Sequence, residues 1–148
     1  MRIIILSAIK DETHSLNTEY EINHTGVGKV NAALSTLRTI KKDKPDLIIN
    51  FGTAGSLNNN ISGLIDCKYF IQRDMDSRPL GTDLGQTPFE EDPPMVIEIE
   101  DHPINTINMN LICATGDSFV ESDIGLKADV VDMEAYAIAK VCYQESIP

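Results

Sequence analysis

The stretch Asp46-Leu47-Ile48-Ile49-Asn50-Phe51-Gly52-Thr53-Ala54-Gly55 decides the fold. Its first half is a short, mostly apolar run, which is typical of a strand covered on both faces in a parallel sheet. Its last four residues, Gly52 to Gly55, are all small, and such a turn lets a ligand lie close to the backbone. Structural turns have the same composition, so this segment is only suggestive of a site. A buried strand followed by a glycine-rich turn predicts an α/β protein with ligands at the carboxyl ends of its strands.

The residues that precede this strand predict two further strands and two helices. Ile3 to Ala8 is a β-branched apolar run, and Tyr20 to His24 alternates well enough to predict a short strand. Lys10 to Leu16 predicts a helix. From Lys29 onward, apolar residues recur at intervals of three and four, which predicts a helix with one face towards the core. The predicted core-facing residues of that helix are Val30, Ala33, Leu34, Leu37 and Ile40.

The second half of the chain is predicted to add short strands, a long loop and a final helix. Gly63 to Arg73 predicts one long bent strand or a strand pair. Residues 79–94 are rich in proline and glycine, which predicts a long surface loop. The remaining predictions are strands at Met95–Ile99, Asn110–Ala114 and Asp129–Asp132, and a helix at Met133–Tyr143. We therefore expect residues 1–148 to form a single α/β domain.

Charge and cysteine content exclude several classes of protein. The 148 residues include 12 Lys+Arg and 23 Asp+Glu, for a net charge of −11, and an acidic surface repels nucleic acid. Cys67, Cys113 and Cys142 are odd in number and lack metal-binding spacing, which argues against disulfides and a zinc site. No stretch approaches the roughly 18 apolar residues of a membrane helix. We expect a cytoplasmic protein with no nucleic-acid or membrane partner and no metal.

Three further segments carry residues that suit a binding site. Gly26-Val27-Gly28-Lys29 is a strand-to-helix turn that lacks a nucleotide-binding fingerprint. Thr115-Gly116-Asp117-Ser118-Phe119-Val120 follows a strand, and Phe119 either stacks on a flat ligand or simply packs. Asp132-Met133-Glu134 brings two carboxylates to a strand-to-helix junction, where acids also cap helices. Composition and spacing leave a structural and a ligand-binding role open for each segment.

Together these segments resemble the 5′-methylthioadenosine/S-adenosylhomocysteine nucleosidases of the purine nucleoside phosphorylase superfamily. The segments that carry the resemblance, in order, are Glu12, Gly26–Ala33, Ile48–Gly55, Ala114–Phe119 and Val131–Ala135. The resemblance runs from Met1 to the last residue. It implies a three-layer α/β/α sandwich with a mixed central sheet, and hydrolysis of methylthioadenosine or S-adenosylhomocysteine to release adenine without a cofactor.

The resemblance also implies a role for each site residue. Glu12 would activate water, assisted by the hydroxyl of Thr53. Glu134 would accept hydrogen bonds from the ribose hydroxyls, and Met133 would pack against the sugar. The other residues expected to bind substrate are Phe119 against the purine, Val120 through its backbone, Ile9 and Val27 around the 5′ substituent, and Ala54, Gly55 and Asp132.

A homodimer and a hydrolytic reaction are further implications of the resemblance. In the family, a neighbouring subunit closes the 5′ pocket through a Gly-x-x-x-Gly-Gln-x-Pro loop. Here that loop lies between Leu80 and Pro88, so we expect these two residues to cross the interface. Phosphorylases of the superfamily hold phosphate with arginines, because a dianion needs bidentate cations. Asn50 occupies the place of one of them, so water is the expected nucleophile.

The end of the sequence leaves two hypotheses open. The family's general acid is an aspartate on the strand that follows the final helix seen here, and the sequence ends before it. We therefore expect a C-terminally incomplete domain that lacks the last core strand and helix. In the first hypothesis the complete protein is a nucleosidase. In the second the chain binds purine nucleosides without turnover, as a sensor or remnant, and a nucleoside phosphorylase is a further alternative. Retention of Glu12 and Glu134 favours the first hypothesis.

Overall fold

A computed structural model describes all residues, 1–148, and contains eight strands and two α-helices. The strands are β1 (Ile3–Ser7), β2 (Glu21–His24), β3 (Leu47–Asn50), β4 (Gly55–Ser56), β5 (Cys67–Gln72), β6 (Val96–Glu98), β7 (Leu111–Thr115) and β8 (Val130–Asp132). The α-helices are α1 (Lys29–Asp43) and α2 (Ala135–Glu145), and single 3-10 turns lie at Lys10–Glu12 and Arg78–Leu80. Neither α-helix combines the length and the apolar character that a membrane crossing requires.

The strands form two hydrogen-bonded sheets. The first is entirely parallel, with the order β2-β1-β3. The second has the order β4-β8-β7-β5-β6, in which the three inner strands are parallel and the two outer strands are antiparallel to their neighbours. Residues 3–6 of β1 are all buried, as expected for the central strand of a covered parallel sheet. The predicted α/β class with a mixed sheet is confirmed. The sequence analysis did not predict that the strands form two separate sheets.

The main core lies between the first sheet and both α-helices. Its buried members are Ile4, Leu6, Ala32, Ile40, Ile48, Ala137, Ile138 and Cys142. Two smaller clusters join α2 to the second sheet: one contains Ile97, Tyr136 and Ala139, and the other contains Cys113, Val130 and Ala135. Helix α2 therefore packs against both sheets and holds them together.

The predicted core-facing side of α1 is wrong for three of its five residues. Val30 is 78% exposed, Leu34 45% and Leu37 37%. Ile40 is buried as predicted, and Ala33 packs partly against the core. The residues of α1 that are buried are Ala32, Thr36, Thr39, Ile40 and Asp43. Ala32 and Ile40 of this set share the main core cluster with α2, and the buried Thr36 hydroxyl donates to the carbonyl of Ala32 at 2.7 Å.

Most of the other predicted elements are confirmed with small changes in their bounds. The exception is the helix predicted at Lys10–Leu16, which is only the 3-10 turn Lys10–Glu12. At its start, the side chain of Glu12 turns back to accept hydrogen bonds from the backbone N–H groups of Ala8 and Ile9. Residues 79–94 contain no strand, in agreement with the predicted loop.

Candidate functional site

Glu12 follows β1, and donors from the ends of two strands hold its carboxylate. Oε2 accepts hydrogen bonds from the Ser7 hydroxyl at 2.8 Å and from the N–H groups of Ala8 and Ile9 at 3.1 and 3.3 Å. Oε1 accepts from the N–H and the hydroxyl of Thr53 at 3.0 and 2.8 Å. Burial by itself raises the pKa of Glu12, but the hydrogen bonds from Ser7 and Thr53 outweigh it and lower the pKa below its ordinary value. Glu12 is therefore ionised at neutral pH.

The glycine-rich turn after β3 gives this carboxylate its space. A Cβ on Gly52 would lie 3.2 Å from Oε1 of Glu12, which is tighter than an ordinary contact. Gly55 begins β4 and pairs with Val131 of β8, where a Cβ would lie 3.1 Å from Cγ2 of that valine. Ala54 between them is exposed. The small residues after β3 thus serve close packing around Glu12 and β8.

Glu134 lies between β8 and α2 and is partly buried. Its Oε1 accepts a hydrogen bond from the backbone N–H of Gly28 at 2.8 Å. Burial raises the pKa of Glu134, and the negative charges of Asp132 and Glu12 raise it further, against the lowering effect of the Gly28 N–H. The structure therefore brings Glu12 and Glu134 into one region and displaces their pKa values in opposite directions. Such a pair of carboxylates suits two different chemical roles.

Asp132 is engaged by the chain itself. Oδ1 accepts from the thiol of Cys113 at 3.3 Å and from the hydroxyl of Thr115 at 2.5 Å. Oδ2 accepts from the N–H groups of Glu134 and Ala135 at 3.1 and 2.6 Å. These contacts are those of a carboxylate that holds the start of α2, as helix N-termini favour. Its substrate-binding role stays a prediction.

The loop after β7 presents an exposed aromatic ring beside a cavity. Phe119 is 88% exposed. Together with Val120, Arg73 and Ser118, it lines a cavity of about 180 Å³. The Arg73 guanidinium donates to the carbonyl and the hydroxyl of Ser118. A Cβ on Gly116 would lie 2.7 Å from Cζ of Arg73, so a larger residue there would force the Arg73 side chain to move. An exposed ring beside a cavity suits a flat ligand.

The remaining predicted site residues lie on the surface or close to it. Ile9 and Val27 are exposed, beside the turns that carry Glu12 and Gly28. Met133 is partly buried next to Glu134. Leu80 is exposed in the long loop and Pro88 is partly buried in it. Which of these residues contact substrate stays a prediction.

Two residues of the site were missed by the sequence analysis. Ser7 closes the apolar run of β1, and a polar residue in the last position of a buried strand was the available signal. Arg73 directly follows β5 and reaches the loop after β7 because Gln72 pairs with Thr115. That register is not visible in the sequence.

Comparisons with known proteins show what this chain is similar to. The family model described as the phosphorylase superfamily matches residues 12–148. The 5′-methylthioadenosine/S-adenosylhomocysteine nucleosidase of Staphylococcus aureus (strain MRSA252) is 38% identical over 151 residues, which are 88% of this chain and 64% of that protein. This chain thus spans somewhat less than two thirds of the length of that relative.

Solved structures share the fold. The Campylobacter jejuni nucleosidase of the same name is 25% identical, with a TM-score of 0.81 over 100% of this chain and 82% of that one. Futalosine hydrolase of Helicobacter pylori is 22% identical, with a TM-score of 0.83 over 99% of this chain and 80% of that one. The predicted resemblance is confirmed: the chain belongs to the phosphorylase superfamily.

Proposed function

We propose that this protein hydrolyses the N-glycosidic bond of a 5′-modified adenine nucleoside, methylthioadenosine or S-adenosylhomocysteine, and releases adenine. The observation that carries the proposal is the pair of carboxylates, with Glu12 ionised between the ends of β1 and β3 and Glu134 at the end of β8. The names of the S. aureus and C. jejuni relatives support the substrate class.

Glu12 suits the activation of water because of its charge and position. Cleavage of a glycosidic bond passes through a sugar that resembles an oxocarbenium ion, which needs a nearby negative charge. Water that attacks this cation becomes strongly acidic, so even a carboxylate with a lowered pKa accepts its proton. The five donors around Glu12 fix the carboxylate, and the Thr53 hydroxyl would lie beside the attacking water.

Glu134 suits the ribose. A carboxylate has acceptor capacity on both oxygens, so the Gly28 hydrogen bond leaves room for donation by sugar hydroxyls. Met133 would pack against the sugar. The exposed ring of Phe119 would stack on the purine, with the backbone of Val120 at its edge. Uncharged Asn50 at the end of β3 favours water over phosphate as the nucleophile.

The test uses the protein encoded by the complete gene, including any residues that follow Pro148. Adenine release from methylthioadenosine is measured with and without phosphate, for the wild type and the variants E12Q and E134Q. We expect phosphate-independent release, and a loss of about 100-fold or more in kcat/KM for each variant. The variant E100Q is a matched control, because Glu100 is exposed and outside the site.

Each other outcome contradicts a stated part of the proposal. Release that requires phosphate would identify a phosphorylase. Nucleoside binding without release, by a protein that folds, would identify a binding protein. Full activity of E12Q would remove Glu12 from the reaction.

We also propose that the protein acts as a cytoplasmic homodimer. The exposed residues Val30, Leu34 and Leu37 lie on one side of α1, and such an apolar stripe marks an interaction surface. A second copy would cover this stripe, and Leu80 and Pro88 would reach the 5′ pocket of the partner. The cytoplasmic location is supported by the three free cysteines.

A further inference from the structure

We propose that Lys29 is a positioning residue for Glu134, because it clamps the turn from which Gly28 donates its N–H group to that carboxylate. The clamp consists of Lys29, Asp74 and Asp117. The assignment of a sugar-binding task to Glu134 rests on the proposed function, whereas the clamp itself rests on contacts within the chain.

The three members of the clamp come from three separate segments and are bonded in a closed triangle. Lys29 begins α1, Asp74 follows β5 and Asp117 follows β7. The ammonium of Lys29 lies 2.5 Å from Oδ1 of Asp74 and 3.7 Å from Oδ2 of Asp117, and its side chain is only 17% exposed. The N–H of Lys29 donates to Oδ1 of Asp117 at 2.8 Å, and the N–H of Asp117 donates to Oδ2 of Asp74 at 2.9 Å.

Two successive backbone N–H groups connect the clamp to the site. The N–H of Gly28 donates to Oε1 of Glu134, and the next one, of Lys29, donates to Asp117. Gly28 has a φ of +93°, and a Cβ there would lie 3.2 Å from Oδ1 of Asp117. Glycine alone fits this position, yet glycine is also the residue with the most conformational freedom. An external constraint is therefore needed to aim its N–H, and the clamp supplies it.

Charge distribution explains why the constraint needs a cation. The carboxylate of Asp74 accepts a hydrogen bond from the backbone N–H of Asp117, and the ammonium of Lys29 lies within 4 Å of both carboxylates. Burial alone raises the pKa of Asp74, but hydrogen bonds from Lys29 and from the N–H of Asp117 lower it below its ordinary value. Without the ammonium the two carboxylates would repel each other and release the turn.

The consequence for Glu134 is measurable. Burial raises the pKa of Glu134 most, and the charges of Asp132 from the end of β8 and Glu12 from the turn after β1 raise it further. The N–H groups of Gly28 and Met133 lower it. Loss of the clamp removes the contribution of the Gly28 N–H, so Glu134 would take up its proton at a higher pH.

The experiment follows the amide proton of Gly28 by NMR as the pH is changed, in the full chain. In the wild type this proton should titrate with the carboxylate of Glu134, and the variant E134Q should abolish that titration. K29M and D117A should move the midpoint to higher pH, and K29R should return it towards the wild-type value. K41M is the matched control. Lys41 lies further along α1 than Lys29, and the substitution removes its ion pair with Glu145 of α2.

Kinetics supply the second readout and separate this proposal from the proposed function. In the active protein we expect K29M to lower kcat/KM about tenfold, the equivalent of one well-placed hydrogen bond, with K29R near the wild type. A folded K29M whose Gly28 titration is unchanged would overturn the clamp. Should K29M not fold, D117A decides in the same way. A wild type that releases no adenine, with the midpoint shifted in K29M, would overturn the reaction and support the clamp.

Discussion

The two carboxylates of the site have opposite effects on stability because their pKa values move in opposite directions. For Glu134, burial and the charges of Asp132 and Glu12 raise the pKa above its unfolded value. The folded state then binds more protons than the unfolded state, so stability falls as the pH rises through the interval between the two values. For Glu12, the hydrogen bonds lower the pKa in the folded state. Its contribution to stability is therefore present above the pKa of the unfolded state and is lost as the pH falls through the pKa of the folded state.

This difference predicts opposite shifts in melting temperature for two similar substitutions. E134Q should melt above the wild type at neutral pH, because an amide carries no buried charge and still accepts from Gly28. E12Q should melt below the wild type at neutral pH, because the amide cannot accept hydrogen bonds from all five donors as the carboxylate does. Thermal unfolding of both variants from about pH 4 to about pH 8 gives the measurement, and both differences should shrink towards the acidic end. An E134Q variant less stable than the wild type at neutral pH would contradict the raised pKa.

At the scale of elements, α1 shows what the sequence can and cannot predict. Its apolar spacing predicts the helix from Lys29, and the structure confirms it to Asp43. The spacing does not indicate which side packs on the core. Ala32 is buried in the core cluster that also contains residues of α2, while the larger Val30 and Leu34 are exposed. The periodicity predicts an apolar stripe along the helix, but it does not indicate which part of the protein covers that stripe.

The candidate site likewise contains residues that could be predicted from the sequence and residues that could not. Glu12, Thr53 and Glu134 could be predicted because they lie in segments that resemble the nucleosidase family, and the structure brings Glu12 and Thr53 into contact. The clamp was not predicted, because no sequence pattern indicates that Lys29, Asp74 and Asp117 come within ion-pair and hydrogen-bond distance of one another. Those contacts depend on how β5 and β7 are placed against α1, and strand register is decided by the whole fold.

The loop after β7 supplies a prediction at the element scale. In G116A, the new Cβ would lie 2.7 Å from Cζ of Arg73, so the guanidinium must leave Ser118. Overpacking of this kind costs about 1–3 kcal/mol, to be measured by urea unfolding. The same substitution in an R73A background should cost much less, because the colliding group is absent. If the losses in the free energy of unfolding caused by G116A and R73A simply add in the double variant, Arg73 and Gly116 are not coupled.

For the whole molecule, the exposed stripe on α1 makes the proposed homodimer testable. Glutamate at Val30 and Leu34 would place four charges in the interface of a dimer. We expect the molar mass in solution, measured by light scattering after size exclusion, to fall from twice the chain mass to once that mass. The matched control places glutamate at Leu57 and Leu64, two exposed leucines between β4 and β5, and should keep the dimer. A wild type that is already monomeric would contradict the proposal.

The division into two sheets has a consequence for how the site responds to change elsewhere. Glu12 and Thr53 extend from strands of the first sheet, whereas Glu134 extends from the second, and α2 packs against both. The distance between the two carboxylates therefore depends on how α2 packs against each sheet. We expect a larger side chain at Ala137, which packs in the core of the first sheet, or at Ala139, which packs against the second, to change that distance, although neither residue belongs to the candidate site.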